Sequence, residues 1–103
     1  MSTMDRKNVS LNELCELEIA VLRKFPLEHA KNRVIEFSDL EKLVASSYNG
    51  KINVSEAGVA ILLLLRSGVL LEGVNGYKIE IKLSEHGKSL RSSLLSIEDI
   101  KRT

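Results

Sequence analysis

Residues 53–68, NVSEAGVAILLLLRSG, constrain the fold more than any other stretch of the 103-residue chain. Asn53 and Glu56 have the spacing of a capping box, in which each side chain satisfies a free backbone N–H at a helix start. Gly68 is suited to the left-handed residue that follows a helix end. The stretch therefore predicts a helix from Asn53–Ser55 to about Ser67, with the apolar residues Ile61 to Leu65 in its middle.

This helix has more apolar residues than one buried face needs. Helical periodicity counted back from Gly68 gives Leu64, Ile61 and Ala57 as core positions. Three further apolar residues then fall on the outer side, at Val59, Leu62 and Leu63. A small domain buries a helix on all sides with difficulty, so an oligomer or a partner protein is expected to cover it.

A β-hairpin is predicted directly after the helix. Residues 69–72 and 77–82 have strand composition, and the second run alternates strictly between apolar and charged residues. Tyr77, Ile79 and Ile81 are expected on one face, and Lys78, Glu80 and Lys82 on the other. The four residues 73–76, GVNG, are predicted to form the hairpin loop.

Two helices and a short strand are predicted before residue 53. The first helix, about 10–25, begins with a capping box at Ser10 and Glu13 and ends before Pro26. Residues 34–37 are a strand candidate. A second helix, about 38–47, starts at the S-D-L-E pattern of Ser38, with Leu40, Leu43 and Val44 facing inward. Gly50 is expected in a left-handed turn.

A fourth helix, about 84–96, is predicted to start at Ser84 and to use Leu90, Leu94 and Leu95 as its apolar stripe. The fold class is therefore α+β, mainly α, with one domain. Residues 1–9 are expected to be flexible, 10–97 to form the domain and 98–103 to be a tail that continues the last helix or frays.

Composition excludes several classes of protein. The net charge is +1, with a basic excess only in residues 73–103, which hold six Lys/Arg and four Asp/Glu. Cys15 is alone and is expected to be a buried small hydrophobe. His29 and His86 have no neighbouring ligands at metal-site spacing, and no catalytic motif or phosphate loop occurs. We expect no enzyme activity, metal or cofactor.

The chain shows neither a signal peptide nor an apolar run long enough to span a membrane, so a cytoplasmic protein without membrane contact is expected. The absence of Gln agrees with a thermophilic or archaeal source, although six Asn weaken that inference.

Three pieces resemble the winged helix-turn-helix family of small bacterial and archaeal transcription regulators, the MarR and PadR-like kind. These are FSDLEKLV, LLLRSGVLL and KLSEHGKSL, the last being similar to the family pattern L-T-x-x-G-x-x-L. The resemblance covers about residues 11–96. It implies a three-helix core, a hairpin wing and a C-terminal helix, with dimerisation through terminal helices.

The resemblance also implies a site on double-stranded DNA, with the third helix in the major groove and the wing on the backbone. Carried over by position, the base-facing candidates are Asn53, Ser55, Glu56, Val59 and Ala60. The phosphate-facing candidates are Lys51, Lys78 and Lys82. The first expectation is thus a homodimeric, sequence-specific DNA-binding regulator.

The third helix departs from that pattern in its polar residues. Base reading favours Arg, Lys, Asn or Gln, whereas this helix has apolar residues on the outer side and the acidic Glu56 near its start. The alternative is a winged helix protein-interaction module in a transcription, replication or membrane-remodelling assembly. This alternative predicts that Val59, Leu62 and Leu63 are exposed, whereas DNA binding predicts that they are buried and that the three lysines share a face.

Overall fold

The computed structural model describes residues 9–26 and 33–102, with side chains as far as residue 98. The described part contains four α-helices and one three-stranded antiparallel sheet, in the order β1–β3–β2, which confirms the mainly helical α+β class. The elements are a 3₁₀ turn at Leu11–Glu13, α1 Glu16–Arg23, β1 Ile35–Glu36, α2 Phe37–Ser46, α3 Val54–Arg66, β2 Leu70–Asn75, β3 Lys78–Leu83 and α4 Glu85–Arg102. Residues 1–8 of the segment expected to be flexible lie outside this description.

The first helix is interrupted, so the prediction of one helix over 10–25 was wrong. Ser10 and Glu13 form their capping box, but it caps only the short 3₁₀ turn. The backbone is extended at Leu14 and Cys15, and α1 starts afresh where the Glu18 carboxylate accepts a hydrogen bond from the Cys15 N–H at 3.0 Å. This break turns Leu14 inward and leaves Cys15 exposed, which also contradicts the expectation of a buried cysteine.

The second helix differs from its prediction at both the cap and the inner face. It begins at Phe37, so Ser38 lies in its first turn and donates a hydrogen bond from Oγ to the Glu36 carboxylate at 3.0 Å. Leu40 and Val44 are fully buried, whereas Leu43 is exposed. The following turn has positive φ at Asn49 and Gly50, as predicted for Gly50.

The third helix has the predicted ends. Asn53 Oδ1 accepts from the Glu56 N–H at 2.8 Å, and Asn53 N–H donates to the Glu56 carboxylate at 3.3 Å. At the other end Gly68 has φ +75, and Val69 N–H reaches back to the Leu64 carbonyl at 3.0 Å. This Schellman-type motif ends the helix at the position that the sequence predicts. Ala57, Ile61 and Leu64 are fully buried in the core.

The hairpin is longer and its turn tighter than predicted. Asn75 pairs with Lys78, so the turn contains only Gly76, at φ +65, and Tyr77, and the predicted four-residue loop was wrong. β2 continues through residues that the composition assigned to a loop. Strand pairing with β3 supplies their backbone partners and outweighs the low strand propensity of Gly73 and Asn75.

The fourth helix continues past residue 96 to Arg102. Leu90 and Leu94 pack in the core, but Leu95 is exposed, which contradicts its predicted place in the apolar stripe. None of the described helices combines the length and apolar content needed to cross a bilayer.

The end of α3, both ends of the hairpin and the start of α4 meet at one junction. Ser84 N–H donates to the Val69 carbonyl at 3.0 Å, and Ser84 Oγ lies 2.5 Å from the Gly68 carbonyl oxygen. Gly87 N–H donates to Ser84 Oγ at 3.0 Å. A β-carbon on Gly87 would overlap the Val69 carbonyl oxygen. The serine and glycine of the L-S-x-x-G segment therefore hold α4 against the base of the hairpin.

Candidate binding surface of the third helix and the hairpin

The outer side of α3 is an exposed apolar stripe. Val59 is 56% exposed, Leu62 53% and Leu63 37%. Leu62 and Leu63 follow Val59 by three and four residues, so both lie one helical turn from it. The neighbouring core residues Ala60 and Ile61 are buried, so the stripe is a separate apolar face and not an extension of the core.

A groove of about 480 Å³ lies between this stripe and β2. Arg66, in the last turn of α3, and Glu72, on β2, are its charged lining residues. The apolar lining consists of Val59, Leu62, Leu63 and Leu65. Among the described residues, neither Arg66 nor Glu72 has an ion pair. The groove thus combines an apolar floor with one free cation and one free anion.

The apolar surface continues along the hairpin. Glu72 is opposite Ile81, and Val74 is opposite Ile79, so these four residues share the groove face of the sheet. Ile81 is fully buried against the core, whereas Val74 and Ile79 are exposed because the hairpin projects past the helices. The alternation predicted for β3 is therefore correct, but of the three residues predicted on its apolar face, Tyr77, Ile79 and Ile81, only Ile81 is buried.

Not all of the residues predicted to contact bases have side chains that are exposed and free of other hydrogen bonds. Ala60 is 2% exposed and lies in the core, so its assignment as base-facing was wrong: the helix turns it toward the interior. Asn53 and Glu56 are exposed, but their side chains cap the start of α3. Ser55 and Val59 are exposed on the outer side, and only Ser55 of these two offers a hydrogen bond.

The candidates for phosphate contact are exposed, and two of the three share a sheet face with carboxylates. Lys51 is exposed before α3. Lys78 and Lys82 lie on the sheet face opposite the groove, together with Glu80, and Glu36 of β1 pairs with Glu80 there. Lys78 Nζ is 4.0 Å from the Glu36 carboxylate. Two lysines and two glutamates make this face neutral in sum.

In the described part of the chain, no three His, Cys, Asp or Glu side chains converge in a way that could hold a metal ion. His86 Nε2 lies 2.6 Å from the Val9 carbonyl and ties the N-terminal residues to α4. His29 lies outside the described residues. Burial, followed by the negative charge of Glu16, raises the pKa of Tyr48 above its usual value of 10.0.

Comparisons with known proteins give no relative for this chain: no protein-family model, curated protein or solved structure matches it.

Proposed function

We propose that the chain is a winged helix module of protein–protein association, and that its α3–hairpin groove binds a second copy of the chain. The winged helix assignment is supported by the order of elements, in which three packed helices are followed by a hairpin and a fourth helix. It is also supported by the pairing of the short β1 with the second hairpin strand.

The exposed stripe of α3 is the observation that carries the proposal. In a DNA-reading winged helix this side would present polar side chains to base edges. Here the side that would enter a groove presents Val59, Leu62 and Leu63 to solvent. Removing such apolar area from water is favourable by about 25 cal/mol per Å², so a protein surface is the better partner.

The two groove charges favour a second copy as that partner. In a two-fold symmetric dimer each contact occurs twice, with the roles of the two copies exchanged. Arg66 of one copy can then pair with Glu72 of the other, and the reverse, while the apolar stripes cover each other. One cation and one anion in the same groove are thus self-complementary.

Sedimentation velocity of the full chain tests this proposal, over about 1 µM to 1 mM protein to cover the usual range of modest affinities. We expect a monomer–dimer equilibrium that Leu62→Ser weakens at least about tenfold, as truncation of a central interface residue does. Leu95→Ser is the matched control, because Leu95 is a similarly exposed leucine on α4. It should leave the dimer constant unchanged.

Charge-reversal variants test the proposed pairing of Arg66 with Glu72 across the dimer interface. Arg66→Glu should weaken the dimer, and the double variant with Glu72→Arg should restore it, because the pair is then reversed but complete. The proposal would be contradicted by a chain that stays monomeric at the highest concentration. It would also be contradicted by a dimer whose dissociation constant Leu62→Ser does not change.

DNA binding by a transcription regulator is the alternative function. Fluorescence anisotropy with a labelled mixed-sequence duplex, at about 50 and 200 mM salt, distinguishes it, because phosphate contacts make affinity fall steeply with salt. Tight binding at low salt that Lys78→Ala and Lys82→Ala weaken would overturn the association proposal in favour of DNA.

A further inference from the structure

A second pocket, of about 400 Å³, lies on a different part of the molecule, between the end of α1, α2 and α4. Four cationic side chains line it: Arg23, Lys24, Arg33 and Arg91. Leu43 and Leu95, which are both exposed, supply its apolar walls. No acidic side chain is among its lining residues in the described part of the chain.

Only part of this positive charge is neutralised within the described chain. Arg23 Nε is 3.6 Å from the Glu98 carboxylate, and the Arg23 side chain is 50% exposed, so this ion pair is of modest strength. Lys24, Arg33 and Arg91 have no carboxylate within ion-pair distance among the described residues. Cations that converge without an anion repel one another, so a bound negative group would relieve an unfavourable interaction.

Arg91 shows where such a group would bind. Its Nε donates to the Phe25 carbonyl at 2.9 Å, which fixes the guanidinium at the end of α1. Its Nη1 is buried and has no hydrogen-bond partner in the described structure. Buried polar atoms nearly always have a partner. A planar guanidinium held in place with free donors is the arrangement that recognises phosphate or carboxylate oxygens.

We propose that this pocket binds a small organic anion that carries a phosphate group next to an apolar ring or chain. The phosphate accepts from the Arg91 guanidinium and is surrounded by Lys24 and Arg33, and the apolar part lies against Leu43 and Leu95. The volume is in the range of small-molecule sites, which combine apolar walls with a few placed polar groups. This site is separate from the α3–hairpin groove and does not depend on it.

Amide NMR titration of the full chain with phenyl phosphate tests this site, with inorganic phosphate and the neutral benzyl alcohol as comparison probes. We expect saturable shifts at the amides around residues 23–26 and 91–95 with phenyl phosphate. Inorganic phosphate should bind more weakly at the same amides, because it lacks the apolar part. Benzyl alcohol should not saturate, because it lacks the charge.

The variants Lys24→Ser and Arg33→Ser should each weaken phenyl phosphate binding about tenfold, the usual effect of one charge-assisted hydrogen bond. Neither variant removes the Arg91–Phe25 hydrogen bond or a fully buried side chain. Lys82→Ser, an exposed lysine on the sheet, is the matched control and should change nothing. No saturable shift up to about 20 mM probe, shifts located elsewhere, or equal weakening by Lys82→Ser would overturn the proposal.

Discussion

Replacement of Gly87 by alanine tests the packing at the junction of α3, the hairpin and α4. Gly87 lies in the first turn of α4, where a β-carbon would overlap the Val69 carbonyl oxygen and lie 3.1 Å from the carbonyl carbon. It would also be 3.2 Å from a methyl group of Leu83. The main obstacle is backbone, held in place by the hydrogen bond from Ser84 N–H to the same carbonyl.

Two opposing effects decide whether Gly87→Ala raises or lowers the free energy of unfolding. Alanine favours a helix over glycine by about 1 kcal/mol. Overpacking costs typically 1–3 kcal/mol, and a backbone obstacle that cannot turn aside places the cost near 3 kcal/mol. The difference is a loss of about 2 kcal/mol in the free energy of unfolding, or roughly a 10 °C fall in Tm for a domain of this size.

Urea unfolding followed by circular dichroism measures this loss, with Gly58→Ala as the matched control. Gly58 is also a buried helical glycine, but its β-carbon would meet only the carboxylate end of the Glu41 side chain, which can rotate away. Gly58→Ala should therefore leave stability unchanged or raise it by up to about 1 kcal/mol. A Gly87→Ala protein as stable as the wild type would refute the packing argument.

Three further changes have defined outcomes. Asn53→Ala removes the side-chain acceptor at the start of α3 and should lower the free energy of unfolding by about 1 kcal/mol in urea titrations; no change would show that the cap is unimportant. Ser84→Ala removes a hydroxyl that contacts the α4 start and the hairpin base and should cost about 1–2 kcal/mol by thermal unfolding, whereas the exposed Ser89→Ala should cost almost nothing. Burial raises the pKa of Tyr48, so the unfolded chain loses this proton first and stability should fall as pH rises above about 10. Tyr48→Phe should reduce that alkaline loss in pH-dependent melts, while Tyr77→Phe at the exposed hairpin tip should not.

Local signals in the sequence predicted much of the fold. The Asn53 cap and Gly68 fix both ends of α3, because each acts through backbone groups within a few residues. With the ends fixed, 3.6-residue periodicity assigned Ile61 to the core and Leu62 to the outer side correctly. The strand alternation around Ile81 also followed from local sequence.

Features that lack a familiar local signal, or that depend on contacts between distant elements, are not predicted by the sequence. The break at Cys15 depends on a cap by Glu18, and cysteine is not a residue that normally marks a helix start. Ala60 was assigned to the DNA side by position in a family pattern, although the helix rotation set by Gly68 places it inside. The free charges of the groove and the basic pocket arise only when α3 meets β2 and α1 meets α4, so neither charge pattern is visible in a linear reading.

The junction around the Val69 carbonyl also has a consequence for the kinetics of local opening. The carbonyl accepts from Ser84, and Ser84 in turn holds the first turn of α4, so the hairpin base cannot separate without exposing both helices. The amide protons of Val69, Ser84 and Gly87 should therefore exchange with deuterium with one common free energy of opening, close to that of global unfolding. The amides near Gly76 at the exposed tip should exchange much sooner. The hairpin is thus held at its base by hydrogen bonds to α4 and is exposed to solvent at its tip.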